Sequence, residues 1–207
     1  MLDITYGDIK VFYEKELDGG GIKFQKEFSY AIKDTVKKAN HIYEFASGPG
    51  FLGFSCLAKG LCNRLTLSDI NSKAIDICNK TIKHNNLYKE VTAVQSDGLK
   101  NIPYPHRLYK FDLVISNPPH INNDKPVKNS DTPSIIYNDY QWEIHENFYK
   151  NIKKYLNKDA SILFIEHIVG RGQEVFIKQI EENNLTLEGI FNYPNSDMYF
   201  VWTKNDR

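Results

Sequence analysis

The chain has 207 residues, of which 41% are hydrophobic and 25% charged, a composition typical of one globular domain with a single substantial core. Its 26 Lys and Arg residues balance 26 Asp and Glu residues, which argues against, without excluding, a large nucleic-acid backbone footprint. No run reaches the roughly 18 apolar residues of a membrane span, the first residues lack a leader pattern, and the three cysteines lack CxxC spacing, so we expect a cytoplasmic protein without disulfides or metal.

Hydrophobic periodicity predicts alternating helices and strands. The first helix covers 24–39, with Phe24, Phe28, Ile32 and Val36 at helical spacing. The predicted strands after it are 41–46, 64–70, 91–97, 111–117, 161–167, 185–193 and 198–204, and the predicted helices between them are 51–59, 72–85, 142–156 and 172–184. This order predicts an α/β fold with a mainly parallel sheet and helices on both faces, while the short PNSD connection indicates that the last two strands are antiparallel.

Three predicted strands end in groups that suit a ligand. Glycines Gly48 and Gly50 follow the first of them in the stretch EFASGPG, where a turn lets backbone approach a ligand closely, although such a turn can also be a plain strand-to-helix connection. Asp69 ends the next strand, where an acid can accept ribose hydroxyls or, alternatively, cap the following helix. Asp97 and Gly98 end the third strand, and a solvated turn is the alternative there.

The fourth predicted strand stops at SNPPH, residues 116–120. Pro118 and Pro119 cannot donate a backbone hydrogen bond and have a fixed φ, so the strand must end in a stiff turn. We call residues 117–120 the NPPH corner. Ligands of parallel sheets bind at the carboxyl ends of the strands, so this corner and the three preceding strand ends are expected to share one rim.

This ordered series resembles the class I S-adenosylmethionine-dependent methyltransferases. The stretch 44–50 is similar to their glycine motif, Asp69 to their ribose-binding acid and Asp97 to the acid that meets the adenine amino group. The NPPH corner resembles the (N/D/S)PP(Y/F/W) signature of release-factor glutamine, adenine-N6 and small-domain guanine-N2 methyltransferases, but His120 replaces the usual aromatic residue. The resemblance covers residues 41–203 and implies a Rossmann-like sheet of seven strands whose last strand is antiparallel.

The resemblance also implies roles for individual residues. S-adenosyl-L-methionine is the implied cofactor, with no metal, because the sulfonium already carries an activated methyl group. The implied cofactor-binding residues are Glu44, Ala46, Ser47, Gly48, Gly50, Asp69, Ile70, Asp97, Gly98 and Asn117. The implied catalytic residues are Asn117, Pro118 and His120, of which the Asn117 side-chain oxygen and the Pro118 carbonyl would accept hydrogen bonds from an N–H₂ group.

The acceptor pocket is expected at the same rim. Its predicted residues are Asp18, Phe24, Pro119, His120, Tyr137, Trp142 and His145, and the polar stretch 117–140 is a candidate functional loop. Helical spacing leaves the alternative that Trp142 and His145 belong to the core. Glu166 and His167 end the fifth strand and face the same crevice, or serve as helix-cap partners. The whole chain is expected to be one methyltransferase domain, with residues 1–40 forming a lid over a catalytic core of 41–207, although the glycine-rich part of that segment can also be a flexible linker.

Three functions are compatible with these features. The first is N-methylation of an amine or amide in a small molecule, peptide or protein, favoured by the neutral charge and single compact domain. The second is methylation of an RNA or DNA base, guanine-N2 or adenine-N6, for which Lys33, Lys37 and Lys38 could supply a basic strip. The third is a non-catalytic cofactor-binding subunit, against which the intact motif series argues. No membrane partner is expected.

Overall fold

The computed structural model of the protein describes residues 1–103, 110–122, 134–170, 172–194 and 196–206. Its strands are Leu2–Tyr6 (β1), Ile9–Tyr13 (β2), His41–Phe45 (β3), Arg64–Asp69 (β4), Val91–Gln95 (β5), Phe111–Ser116 (β6), Leu156–His167 (β7), Thr186–Phe191 (β8) and Met198–Lys204 (β9). Its α-helices are Gly21–Thr35 (α1), Phe51–Ala58 (α2), Ser72–His84 (α3), Glu143–Ile152 (α4) and Gln173–Glu182 (α5). Across those described ranges, none of the helices has the length and apolar character needed to cross a bilayer.

The main sheet has seven strands in the order β5-β4-β3-β6-β7-β9-β8. The pairs from β5 to β7 are parallel, and β9 runs antiparallel to both of its neighbours. The predicted fold class is therefore confirmed, including the antiparallel last strand. Strand order reverses between β3 and β6, which is where doubly wound sheets place their ligand.

Side chains alternate between two cores, one on each face of the sheet. On β6, Leu113 and Ile115 pack with α1, α2 and α3, whereas Phe111 and Val114 pack with α4 and α5. A strand buried on both faces needs an unbroken apolar run, because successive side chains point to opposite sides. The FDLVIS segment has nearly such a run, apart from half-buried Asp112.

An antiparallel hairpin, β1–β2, precedes α1 and was missing from the sequence prediction. It turns at Gly7, which has a φ of 53°, and packs against α3. The Phe12 backbone N–H donates to Thr81 Oγ1 at 3.1 Å, and the Asn85 side chain bonds the Lys10 backbone N–H and carbonyl at 2.9 and 2.8 Å. The first part of the predicted 1–40 segment is thus an ordered hairpin attached to the catalytic core.

Candidate active site

A cavity of about 160 Å³ opens at the carboxyl ends of β3, β4, β5 and β6. Ten of its lining residues were predicted as site residues: Glu44, Ala46, Ser47, Gly48, Asp69, Ile70, Asp97, Gly98, Asn117 and Pro119. Because the carboxyl ends of neighbouring parallel strands meet at one edge, the structure brings these residues together as the motif order indicated.

The glycine turn joins β3 to α2. The Ser47 backbone N–H donates to the Ser68 carbonyl at 2.8 Å, and the Gly50 N–H donates to the Ser47 carbonyl at 2.9 Å. Gly48 and Gly50 have φ values of 51° and 82°, in the left-handed region. A Cβ on Gly50 would also lie 2.9 Å from the Phe54 ring. Both conformation and space therefore require glycine at position 50.

Glu44 lies beneath this turn and supports the start of α2. Its side chain is buried, and Oε2 accepts a hydrogen bond of 2.7 Å from the Gly53 N–H. Burial raises the pKa of the Glu44 carboxyl to about 8, against the lowering effect of the Gly53 and Leu52 backbone hydrogen bonds. Glu44 thus holds the first turn of α2 through one oxygen while its side chain lines the cavity.

Asp69 links the glycine turn to the end of β4. Its Oδ2 accepts from the Gly48 N–H at 2.7 Å, and its Oδ1 accepts from the Asn71 N–H at 2.9 Å. Asn71, not Asp69, caps α3, through a bond of 3.0 Å from the Lys73 N–H. Burial raises the pKa of Asp69, although these backbone hydrogen bonds oppose the rise. Each carboxylate oxygen keeps a lone pair for a ligand hydroxyl.

The end of β5 supplies an exposed acid beside an apolar surface. Asp97 lies at the cavity and forms an ion pair with Lys100. Gly98 has a φ of 58°, and the neighbouring Ile70 side chain is 44% exposed although it is large and apolar. An exposed isoleucine next to a hydrogen-bond acceptor is suited to the face and edge of a planar ring.

Asn117 begins the NPPH corner and contacts the segment before α1. Its Nδ2 donates to the Gly19 carbonyl at 2.8 Å, which fixes the orientation of the amide. Its Oδ1 is buried and has no hydrogen-bond partner among the described residues. Next to it, the Asp18 carboxylate accepts from the Gly20 N–H at 2.9 Å, so Asp18 shapes this loop while Leu17 and Gly19 line the cavity. A buried acceptor without a partner is costly and indicates a ligand donor.

His120, at the other end of the corner, is set back from the described cavity lining, as is Pro118. The His120 ring stacks on His167 with centroids 6.0 Å apart and an interplanar angle of 24°. Burial, together with the nearby His167 and His145, lowers the pKa of His120 to about 4, while a hydrogen bond with the Pro118 backbone opposes the decrease. His120 is therefore neutral at pH 7, and its buried Nδ1 has no partner among the described residues.

The residues predicted for the acceptor pocket are dispersed. Trp142 and His145 are 5% and 1% exposed and belong to the core between α4 and α5, as the alternative interpretation held. Phe24, Tyr137 and Asp18 also fall outside the described lining, whereas Pro119 is part of it; of the predicted cofactor-binding residues, Gly50 alone lies outside it. In their place the cavity has Ile135, Ile136 and Ile144, which sequence analysis missed. The only signal was an isoleucine pair inside an otherwise polar stretch, whose residues 123–133 lie outside the described part of the chain.

Comparison with known proteins identifies the family. The profile of the family described as "Methyltransferase small domain" matches residues 5–165. A release factor glutamine methyltransferase of Mycoplasma mycoides subsp. mycoides is 29% identical over 161 residues, covering 74% of this chain and 56% of that protein. A ribosomal RNA small subunit methyltransferase C of Actinobacillus pleuropneumoniae is 34% identical over 109 residues, covering 53% of this chain and 30% of that protein.

The fold has solved counterparts as well. A methyltransferase from Pyrococcus furiosus superposes with a TM-score of 0.71 at 12% identity, covering 96% of this chain and 89% of that one. The chain spans 27% to 56% of the length of the first curated relatives that it matches. Since the family profile nevertheless covers most of the chain and its motifs line one cavity, the chain belongs to the methyltransferase small domain family of S-adenosylmethionine-dependent methyltransferases.

Proposed function

We propose that this protein transfers the methyl group of S-adenosylmethionine to an N–H₂ nitrogen, an amine or amide of a small molecule, peptide or protein. The observation that carries the proposal is Asn117, whose Nδ2 is held by the Gly19 carbonyl while its buried Oδ1 has no partner among the described residues. An acceptor oxygen fixed at the cavity can orient a nitrogen donor. The three cysteines are buried and free, which supports a reducing cytoplasm as the location.

The residues present fit the cofactor. When bound, S-adenosylmethionine supplies a methyl group already activated by its sulfonium charge. Asp69 would accept the ribose hydroxyls with its free lone pairs, and Asp97 would accept from the adenine amino group while Ile70 covers the ring. The glycine turn 47–50 lets backbone approach the amino-acid end, and Leu17 contributes apolar surface from the other side.

The NPPH corner would orient the acceptor. An amide or aromatic amine delocalises its lone pair, so the site must hold both N–H bonds and leave the lone pair pointing at the methyl group. The Asn117 Oδ1 would accept one N–H, and the Pro118 carbonyl, which has two lone pairs, would accept the other. Neutral His120 ends the corner, and its Nδ1, which has no partner among the described residues, can accept a hydrogen bond without adding charge.

The segment before α1 would close the site. Leu17 and Gly19 line the cavity, and the Gly19 carbonyl holds Asn117. We therefore propose that the chain is one methyltransferase domain, with residues 1–40 acting as the lid of a core that covers 41–207. The attachment of the hairpin to α3 would leave residues 14–21 as the part that moves.

Calorimetry and a methyl-transfer screen test this function. S-adenosylhomocysteine should bind the wild type, and Asp69→Ala should bind it at least tenfold more weakly. With radiolabelled cofactor, glutamine peptides and amines are offered as acceptors, and Asn117→Ala should reduce transfer at least a hundredfold. Asn151→Ala, an exposed change on α4, is the matched control and should leave both values unchanged. Lack of cofactor binding by the wild type would refute the proposal, as would an Asn117→Ala protein that keeps full activity.

A second candidate is an RNA base as acceptor. Exposed lysines lie along one face of α1 and just beyond it and have no ion-pair partner among the described residues: Lys23, Lys26, Lys33 and Lys37. Such a row suits a phosphate backbone. Binding of ribosomal RNA fragments should then weaken steeply with salt, and Lys26→Glu with Lys33→Glu should abolish it. A salt-independent weak affinity would favour the amide or amine acceptor.

A further inference from the structure

The core beneath the NPPH corner contains three ionisable side chains that the proposed chemistry leaves unused. His145 lies between two carboxylates, with Nδ1 at 2.5 Å from Asp139 Oδ2 and Nε2 at 2.8 Å from Glu166 Oε1. The three side chains are at most 1% exposed. Burying ionisable side chains is unfavourable unless they are paired and hydrogen-bonded, and in this cluster His145 is hydrogen-bonded to both carboxyl groups.

Both carboxylates belong to elements that contact the NPPH corner. Glu166 precedes His167, which stacks on His120. On the other side, the Asp139 N–H donates to the Ile121 carbonyl at 3.2 Å, and the Ile121 N–H donates to the Tyr137 carbonyl at 2.9 Å. The residue that follows the corner is therefore hydrogen-bonded to the segment that carries Asp139.

The Asp139 segment is also held in a strained conformation. Gln141 and Trp142 have φ values of 52° and 62°, which are unfavourable for residues other than glycine. Asp139 compensates by accepting backbone N–H groups of α4, from Ile144 at 2.8 Å and from His145 at 3.1 Å. This sharp turn allows the Asp139 carboxylate to contact both the first backbone N–H groups of α4 and the His145 ring.

We propose that Asp139, His145 and Glu166 form a buried network that positions the NPPH corner, with His145 as its positioning residue. Through His145 the network joins the end of β7, whose His167 stacks on His120, to the segment before α4, which is hydrogen-bonded to Ile121. The proposal rests on the proposed function, because it concerns the geometry of the same acceptor site. His145 itself does not touch the described cavity and has no chemical step assigned to it.

The protonation state of His145 provides a way to observe this network, because it changes with pH. Burial alone would lower the pKa of His145, but the charge of Glu166 and the hydrogen bonds that the ring donates to both carboxylates raise it to about 9. The other titratable groups nearby are His120, which faces His145, and Tyr149 and Tyr199, which face Glu166. His145 is therefore charged at pH 7 and loses its proton near pH 9, where both carboxylates would lose their ion pair and one would also lose its hydrogen-bond donor.

Nuclear magnetic resonance on the ¹⁵N-labelled full chain tests the proposal. In the wild type both His145 ring nitrogens should carry protons at pH 7, with a pKa of about 9. As the pH rises, the Asn117 side-chain amide signal should shift with the same midpoint as the His145 titration. Hydrogen exchange of the Ile121 backbone amide should also accelerate with that midpoint, at least tenfold beyond its intrinsic pH dependence. In Glu166→Gln, which keeps the size of the side chain but not its charge, all of these midpoints should move down by at least one pH unit.

Two further variants separate the possible outcomes. His145→Gln should remove the midpoint from the Asn117 and Ile121 signals, whereas His84→Gln, a change at an exposed position on α3, should leave them unchanged. S-adenosylhomocysteine should bind all variants within threefold of the wild type, since the cofactor residues lie elsewhere. If the signals of Asn117 and Ile121 do not change as His145 titrates, the positioning role of His145 is wrong. Loss of cofactor binding by the wild type would instead overturn the proposed function.

Discussion

Glu44 provides a sharp test of how burial shapes this site. Burial raises the pKa of its carboxyl from an ordinary 4.5 to about 8, so the folded protein holds a proton that the unfolded chain releases above pH 4.5. An acid with a raised pKa stabilises the fold fully below its unfolded value, and that stability is lost as the pH rises through the folded value. At 1.36 kcal/mol per unit, the loss between pH 4.5 and pH 8 amounts to at most about 5 kcal/mol.

Glu44→Gln is the matched perturbation. Glutamine keeps the size of the side chain, and its oxygen can still accept the 2.7 Å bond from Gly53, but it cannot ionise. Urea unfolding from pH 5 to pH 9 without added cofactor gives the difference in unfolding free energy between the variant and the wild type. We expect nearly equal stabilities at pH 5 and a variant more stable by several kcal/mol at pH 8.5.

The difference curve isolates Glu44. His145 also loses stabilising charge as the pH rises from 6.5 towards about 9, but it does so in both proteins and therefore cancels. Glu146→Gln, at an exposed position on α4, is the control and should give a flat difference. A flat difference for Glu44→Gln would mean that the carboxyl titrates normally, and the role assigned to its burial would be wrong.

Three other predictions follow from local geometry. Gly50→Ala should destabilise the protein by about 1–3 kcal/mol in urea unfolding, because its Cβ meets Phe54 and Leu67 at a φ of 82°, whereas Gly189→Ala, with open space around it, should not. Thr81→Val should cost about 1–3 kcal/mol because it leaves the Phe12 N–H without its partner, and unchanged stability would show that the hairpin does not depend on this bond. Burial raises the pKa of the Cys56, Cys62 and Cys78 thiols. A thiol reagent should therefore label the native protein far more slowly than the urea-unfolded chain. Rapid labelling of the native protein would contradict the burial of these thiols.

The cofactor side of the site was predictable because its signals are local. Each strand end carries its own turn or acid within a few residues, and the parallel order of the strands brings these ends to one edge. Glu44, Asp69 and Asn117 therefore reached the same cavity although they are distant in sequence. Their roles toward the cofactor remain predictions until binding is measured.

The hairpin β1–β2 could have been found from the same kind of local signal. A two-residue Gly7-Asp8 turn separates segments in which Ile4 and Tyr6, then Ile9 and Val11, alternate with polar residues. That pattern is typical of a hairpin. The hairpin was not predicted because α1 and the strands that follow it already account for a complete α/β fold.

The residues of the acceptor side could not be predicted from the sequence, because their positions depend on contacts between residues that are distant in sequence. The spacing of Trp142 and His145 placed them on one helical face, but periodicity cannot say whether that face meets a cavity or the core. The two carboxylate partners of the buried His145 lie 6 and 21 residues away in sequence, one before α4 and one at the end of β7. Neither pairing follows from any local pattern.

The cofactor side and the acceptor side of the site are held by helices on opposite faces of the sheet. The glycine turn and Asp69 rest on α2 and α3, in the core on one face of the sheet, whereas the Asp139–His145–Glu166 network rests on α4 and α5, in the core on the other. Asn117 lies between them, held by Gly19 from the first side and continuing into the corner that contacts the second. Under the proposed function, changes on the α4–α5 face should alter which nitrogen reaches Asn117, and substrate preference should be sought among residues 134–145, three of which line the cavity, and 166–170.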